Sequence, residues 1–342
     1  MRRSAGQASA VAAMARGHRQ AALRLPGLLP SADQAMVPRT MSTGGGGLAM
    51  SRLDLNLGAV TIHRIVEQEG AFFDAFEFFP TLTREMFDEN RGWLQPRYFD
   101  VAAKPIFCVQ SYLVQTPHHV ILIDTCVGNH KPRPTLPFWG MLASDRYEKG
   151  LAAAGFDVGE VDYVLCTHLH VDHVGWNTRL ENGRWVPTFP NAKYVFAGRE
   201  LEHWTERHNT DPTRLPWITD SVLPIIEANR VELVRSDHEL SDLVRLVSTP
   251  GHTVDHYSVR VGKAGSAAIV TGDLIHSPIQ LRYPEMGMVG DYDSRQAGET
   301  RHKLLEEVCE TSNLLCTAHF PSPSIGRIRR RDAAFDFVEL TQ

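Results

Sequence analysis

The chain has 342 residues, enough for one large domain or two ordinary ones, and a composition able to bury a core without disulfides. Thirty-five Lys and Arg against 40 Asp and Glu leave a formal charge of −5, which gives no electrostatic case for nucleic acid. No run of about 18 apolar residues marks a membrane span, and five scattered cysteines without a CxxC pair argue against a disulfide scaffold and for a reducing, cytoplasmic setting.

Residues 1–50 carry six Arg, one Asp, no Lys and no Glu, and end in the Gly44–Gly47 run. Beyond them 29 basic side chains face 39 acidic ones, so the composition breaks near Met50. The segment reads as a disordered tail, as an over-extended start before Met41 or Met50, or as an Arg-rich, acid-poor organelle leader. A single domain is expected over residues 51–342.

From residue 55 onward, short β-branched runs alternate with amphipathic stretches. Strands are predicted at 59–66, 107–114, 120–124, 162–167, 193–196, 245–248, 257–261 and 267–271. Val120-Ile-Leu-Ile and Ala267-Ala-Ile-Val are almost wholly apolar, as strands covered on both faces tend to be. Helices are predicted at 145–154, 199–207, 220–229 and 295–309, and long loops at 128–140 and 277–293. This order suggests layered sheets with helices outside.

The strongest signal is Thr167-His168-Leu169-His170-Val171-Asp172-His173, directly after the apolar strand Tyr163-Val164-Leu165-Cys166. His168 and His170 are two apart and can share a side of an extended turn, while Asp172 and His173 reach a neighbouring point. Four metal-competent side chains in six residues can serve two adjacent ions. Imidazole and carboxylate without thiolate suits Zn above all, with Mn, Fe or Co as alternatives. Single polar residues also end later apolar segments: His252 after Thr249-Pro250-Gly251, Asp273 after Thr271-Gly272, and His319 after Thr317-Ala318.

With these motifs the sequence resembles the metallo-β-lactamase superfamily of dinuclear hydrolases across roughly residues 57–330. The resemblance implies an α/β four-layer αββα sandwich with two divalent metal ions at one edge of the sheets. It implies that His168, His170 and His252 hold one metal, that Asp172, His173 and His319 hold the other, and that Asp273 bridges both. Asp124 matches the family's strand-end aspartate, and His256 its second histidine after Pro-Gly-His; both organise the ligands rather than join them. True β-lactamases lack an aspartate at the position of Asp273, flavodiiron reductases carry Glu at that of His170, and processing ribonucleases add a basic arm absent here. The intervals of 79, 21 and 46 residues from His173 to His252, Asp273 and His319 resemble the acyl-homoserine lactonase and methyl parathion hydrolase branch.

The reaction so implied is hydrolysis of a lactone or related ester, quorum-quenching lactones included, with phosphotriesters as promiscuous substrates. Asp172 is the expected proton carrier. His276, three residues after Asp273 where many lactonases carry Tyr, is the expected acid or oxyanion donor. Alternatives are a glutathione-thioester hydrolase, for which Arg282, Arg295, Arg301 and Lys303 supply scattered charge, and a non-hydrolytic member such as a persulfide dioxygenase. Seven of the 15 Phe lie between Phe72 and Phe99, with Pro137-Phe138-Trp139 and Phe320-Pro321 elsewhere. They read as a wall for a small-molecule substrate with an apolar acyl or aryl group, as an interface between two copies, or as core. Trp176 is a second candidate pocket wall.

Overall fold

The computed structural model describes residues 54–263 and 265–340; the Arg-rich segment 1–50, expected as a disordered tail, an over-extended start or a leader, lies outside them. Two sheets face each other. In chain order the first contains β1 (Leu55–Asn56), β2 (Thr61–Ala71), β3 (Ile106–Gln115), β4 (Val120–Ile123) and β5 (Tyr163–Leu165). After a hairpin of β6 (Thr178–Glu181) and β7 (Arg184–Pro187), β8 (Lys193–Ala197) and β9 (Val231–Val234) complete it. The second runs in order from β10 (Val244–Ser248), β11 (Tyr257–Lys263), β12 (Ser266–Val270) and β13 (Leu314–Cys316) to β14 (Ile325–Arg331) and β15 (Ala334–Glu339).

The inner faces meet through Tyr112, Val114, Ile121 and Ile123 of the first sheet and Leu246, Val259, Val261 and Val270 of the second, all buried in one cluster. On the far side of the second sheet, Ile269, Leu315 and Ile328 pack on Leu304, Leu305 and Val308 of the Ser294–Val308 helix. The Arg146–Ala153 helix covers the first sheet so closely that a Cβ on Gly150 would lie 2.9 Å from Ile65. The result is an αββα sandwich, and among the described residues no helix is long and apolar enough to cross a membrane.

All eight predicted strands are present with shifted ends. Those not foreseen have physical reasons. β14 reads Ile325-Gly-Arg-Ile-Arg-Arg-Arg, and its charges mask two buried residues on opposite faces, Ile325 between the sheets and Ile328 against the Ser294–Val308 helix. The helix expected at 220–229 begins as a wider turn over Ile218–Val222 before regular Leu223–Glu227, because Pro224 lacks the N–H needed in a helix interior. The five cysteines are free thiols, as expected.

Strand direction positions the functional residues. β4, β5 and β8 are parallel, as are β12 and β13. Parallel neighbours deliver the residues after their carboxyl ends to one rim, where open α/β sheets bind ligands. Asp124 follows β4, His168 follows β5, Asp273 follows β12 and His319 follows β13.

Candidate metal centre

Asp273 occupies the middle of the rim, with each carboxylate oxygen serving a different group. Oδ1 lies 3.0 Å from His173 Nε2 and 2.9 Å from His319 Nε2. Oδ2 lies 3.2 Å from His252 Nε2, 3.6 Å from His168 Nε2 and 3.1 Å from His276 Nε2. His170 Nδ1 is 2.9 Å from His252 Nε2. Asp172 joins the opposite group, 3.8 Å from His173 Nε2 and 3.7 Å from His319 Nε2. The seven residues singled out in the sequence thus gather at one place. Those of each group, His168, His170, His252 and Asp273 on one hand and Asp172, His173 and His319 on the other, offer ligand atoms within 4.8 Å of one another.

Backbone and partners aim these side chains. Asp124 sits at φ +58°, accepts the backbone N–H of Thr167 at 2.8 Å on Oδ1, and accepts His173 Nδ1–H at 2.9 Å on Oδ2. His319 Nδ1–H donates to the Cys108 carbonyl at 2.9 Å, leaving Nε2 to face the cluster. His256 accepts the backbone N–H of Asp273 on Nε2 at 3.0 Å, and burial pushes its pKa down to about 3, so the ring stays a neutral acceptor. Gly272, at φ +52°, brings the chain so close that a Cβ would lie 2.6 Å from His256 Nε2. Asp124 and His256 therefore touch the ligand-bearing residues rather than the centre of the cluster.

The electrostatics are divided. Burial, reinforced by neighbouring imidazoles, holds His168 and His170 well below the usual histidine range. Burial also opposes charge on His173, but Asp273, Asp124 and Asp172 outweigh it and hold that ring well above the range. Asp273 is depressed well below an ordinary carboxylate because His173, His319, His276 and His168 outweigh its burial. His170 and Asp172 are half-buried while the other five are buried, so the cluster opens on their side.

His276 is buried against the cluster, stacked on His319 with ring centroids 5.4 Å apart. Burial lowers its pKa to about 4, and its Nε2–H is directed at Asp273. A neutral imidazole has one N–H. An Nε2–H on this ring would donate to Asp273 Oδ2, 3.1 Å away.

Other expectations are redirected by packing. Trp176 does not wall a pocket: it is buried, stacked on Tyr147 at 4.9 Å, and donates to the buried Glu67. Phe320 lies in the core with Leu274 and Phe337. From the phenylalanine-rich segment Phe78 reaches the site, 5.6 Å from His276, and Phe107 of β3 lies 5.7 Å from His319; Phe138 and Trp139 pack on Phe72 and Phe73. Arg282 pairs with Asp336, Arg295 pairs with Glu299, and the buried Arg301 donates to the carbonyls of Leu274, Pro284 and Met286.

Sequence reasoning missed three groups. Asp291 accepts His252 Nδ1–H at 2.9 Å. Glu200 accepts the backbone N–H of Leu169 at 3.2 Å and that of Asp255 at 3.1 Å, tying the two histidine-bearing loops together. Trp204 and Trp217 line an open cleft of about 350 Å3 beside His170 and His252. The only signal was the spacing of His203, Trp204 and Arg207 along one helix, which reads equally as a packed face.

Residues 108–319 match the family model of the metallo-beta-lactamase superfamily, more than half of the chain. The chain belongs to that superfamily. Metallo-beta-lactamase superfamily members of known description resemble it at low identity. An N-acyl homoserine lactonase of Bacillus sp. is 25% identical over 178 residues, covering 48% of this chain and 62% of the relative, so the match spans less than two thirds of that protein. One of Bacillus cereus is 24% identical over 225 residues, covering 63% of this chain and 81% of the relative. Among solved structures, the hydrolase AbOPH in the beta lactamase superfamily superposes with TM-score 0.72 at 22% identity, covering 86% of this chain and 99% of its own. AidC, a dizinc quorum-quenching lactonase in complex with a homoserine product, superposes with TM-score 0.69 at 20% identity, covering 86% and 98%. These structures show a common fold. The His/Asp cluster gives this superfamily member side chains able to bind metal.

Proposed function

We propose that this protein is a metal-dependent hydrolase that opens a lactone or related ester with two divalent ions held in the cluster. The observation that carries the reading is Asp273, whose two oxygens each face a separate group of imidazoles. The donors suit such ions. His168 Nε2, His173 Nε2 and Asp273 Oδ1 are buried without a hydrogen-bond partner among the described residues, a costly arrangement that a bound cation would relieve. His168, His170 and His252 would hold one ion, Asp172, His173 and His319 the other, and Asp273 would touch both. Zinc is compatible with this imidazole and carboxylate set. When bound, ions of this kind make water nucleophilic near neutral pH and polarise a carbonyl.

The chain's own residues supply the rest. Asp172, half-buried at the open side, is placed to take a proton from the attacking water and return it to the leaving alkoxide. His276 holds Asp273 Oδ2 in orientation, and Asp124, Asp291 and the Cys108 carbonyl fix which nitrogen each histidine turns inward. The homoserine lactonase relatives support the choice of a lactone or ester among the superfamily's substrates.

Metal analysis of the purified protein, followed by a panel of lactones, aryl esters and phosphotriesters with each metal restored, tests the reading. Near two ions per chain and chelator-sensitive ring opening are expected. A fully loaded protein inert across the lactones and esters would overturn it.

A further inference from the structure

The space beside the cluster is not where the phenylalanines are. Around His276 and His319 the neighbours are buried Phe78 and Phe107. The open cleft of about 350 Å3 lies on the side of His170 and His252, lined among others by Trp204, Trp217, Leu215, Val289, Tyr292 and Arg207. That volume is at the lower end of the range for small-molecule pockets, roughly 300–1,000 Å3.

Its walls are fixed to the histidine loop. Trp217 Nε1–H donates to the Leu169 carbonyl at 2.9 Å, while the Leu169 N–H is held by Glu200, which also accepts Trp204 Nε1–H at 2.6 Å. Both indoles are therefore anchored to the residue between His168 and His170, and their rings meet edge to face at 5.9 Å. Opposite them, Val289 and Tyr292 expose apolar surface on a loop whose Tyr292 N–H donates to the His252 carbonyl at 2.9 Å. Indole and aliphatic linings of this kind suit an apolar group.

The rim adds charge. Arg207 lies 4.9 Å over the Trp204 ring, exposed, and no carboxylate among the described residues pairs with it. The one carboxylate lining the cleft, Asp291, is wholly buried and engaged by His252 Nδ1–H and the Met288 N–H. His203 stands beside Trp204 and Tyr292. The permanent charge the cleft presents to a ligand is thus positive.

We infer that this cleft binds the non-reacting arm of the substrate, and that the arm is an apolar aryl or acyl group ending in a carboxylate that meets Arg207. The inference rests on the hydrolase reading and narrows its substrates to acidic esters or lactones. Calorimetric titration of the metal-loaded protein with 4-phenylbutanoate and with 4-phenyl-1-butanol tests it without turnover. The acid binds more tightly, and Arg207→Gln lowers the acid-to-alcohol affinity ratio by about fivefold, the upper end for an exposed ion pair. Trp217→Leu weakens both ligands. An unchanged ratio in Arg207→Gln, as when the carboxylate sits on the metals instead, overturns the inference, as does failure of both ligands to bind. Phenyl glutarate monoester and phenyl pentanoate, equal in length, separate the two readings. Hydrolysis of both with no preference for the acid defeats the cleft assignment alone. Binding of the acid through Arg207 with no hydrolysis of either ester or of any lactone defeats the hydrolase alone.

Discussion

Asp291 accepts the Nδ1–H of His252, 39 positions earlier in the sequence, at 2.9 Å. Its other oxygen takes the Met288 N–H, and the Tyr292 and Asp293 amides donate to the carbonyls of His252 and Gly251. A loop without a motif is thereby stitched along the histidine loop, and its carboxylate decides that His252 turns Nε2 toward Asp273. Removing such a partner costs about 10–100-fold in metal affinity. Asp291→Asn is expected to show a loss of that size in a chelator competition, with one of two ions leaving first. Equal affinity in variant and parent would remove Asp291 from the site.

Asp124 gives a sharper version of the same test, because its backbone and side chain act separately. Asn tolerates the left-handed φ of +58° and its oxygen can still accept the Thr167 N–H. Its NH2, however, must then face His173 Nδ1, which moves the ring proton to Nε2, the nitrogen turned toward Asp273. Asp124→Asn is expected to unfold at nearly the parent temperature yet bind close to one ion per chain. Asp124→Ala adds about 1–2 kcal/mol of instability from the left-handed backbone. Two ions retained in Asp124→Asn would refute the tautomer argument.

These two carboxylates mark how far the sequence could be read. The first group of donors was legible because local spacing after an apolar strand is itself a geometric statement: His168 and His170 lie two residues apart beside a buried β5. His252, Asp273 and His319 were legible as polar ends of apolar runs, since parallel strands bring their carboxyl ends together. Asp291 was not, because a partner set by a loop path has no period. The cleft was misplaced for a related reason. Phenylalanine density between Phe72 and Phe99 signals burial of large rings, and most of those rings pack on one another. The cleft's indoles were hidden in a helix and a turn, where Trp204 and Trp217 read as ordinary packing.

Gly175 tests how tightly the loop after the motif is set. A Cβ there would lie 1.9 Å from both the carbonyl carbon and oxygen of Val127 and 2.6 Å from the Gly128 nitrogen. All three are backbone atoms, and Gly175 N–H is already bonded to the Cys126 carbonyl at 2.7 Å. No rotamer change relieves the clash. Gly175→Ala is expected to cost about 3 kcal/mol or more in urea unfolding, since overpacking against fixed atoms exceeds the usual penalty. Gly183→Ala, at φ +76° with nothing within 4 Å, carries only the backbone cost and serves as the comparison. Equal losses in the two variants would show that the Val127 contact has no weight.

Lys131 provides a pH dependence away from the metal cluster. Its ammonium is fully buried, donates to Thr178 Oγ1 at 2.7 Å, lies 3.4 Å from Asp220 Oδ1 and sits 3.8 Å over the Trp185 ring. Burial pulls its pKa down to about 7 from 10.5, with Asp220 opposing and Arg133, which also engages Asp220, assisting. Between these values the unfolded chain holds the proton more often than the folded one, so the Lys131 contribution to stability rises with pH from about 7 toward 10.5. Buried Cys108 and Cys316 act in the other direction. Burial raises them to about 12 from 9.0, so the unfolded chain loses those protons first and stability falls above pH 9. Denaturant unfolding of the parent and of Lys131→Met across pH 6.5–9 isolates the lysine, because the cysteines are common to both. The difference, parent minus variant, is expected to climb with pH. A flat difference would mean that Lys131 keeps its proton in the folded state, with Asp220 and Thr178 sufficient to hold the charge.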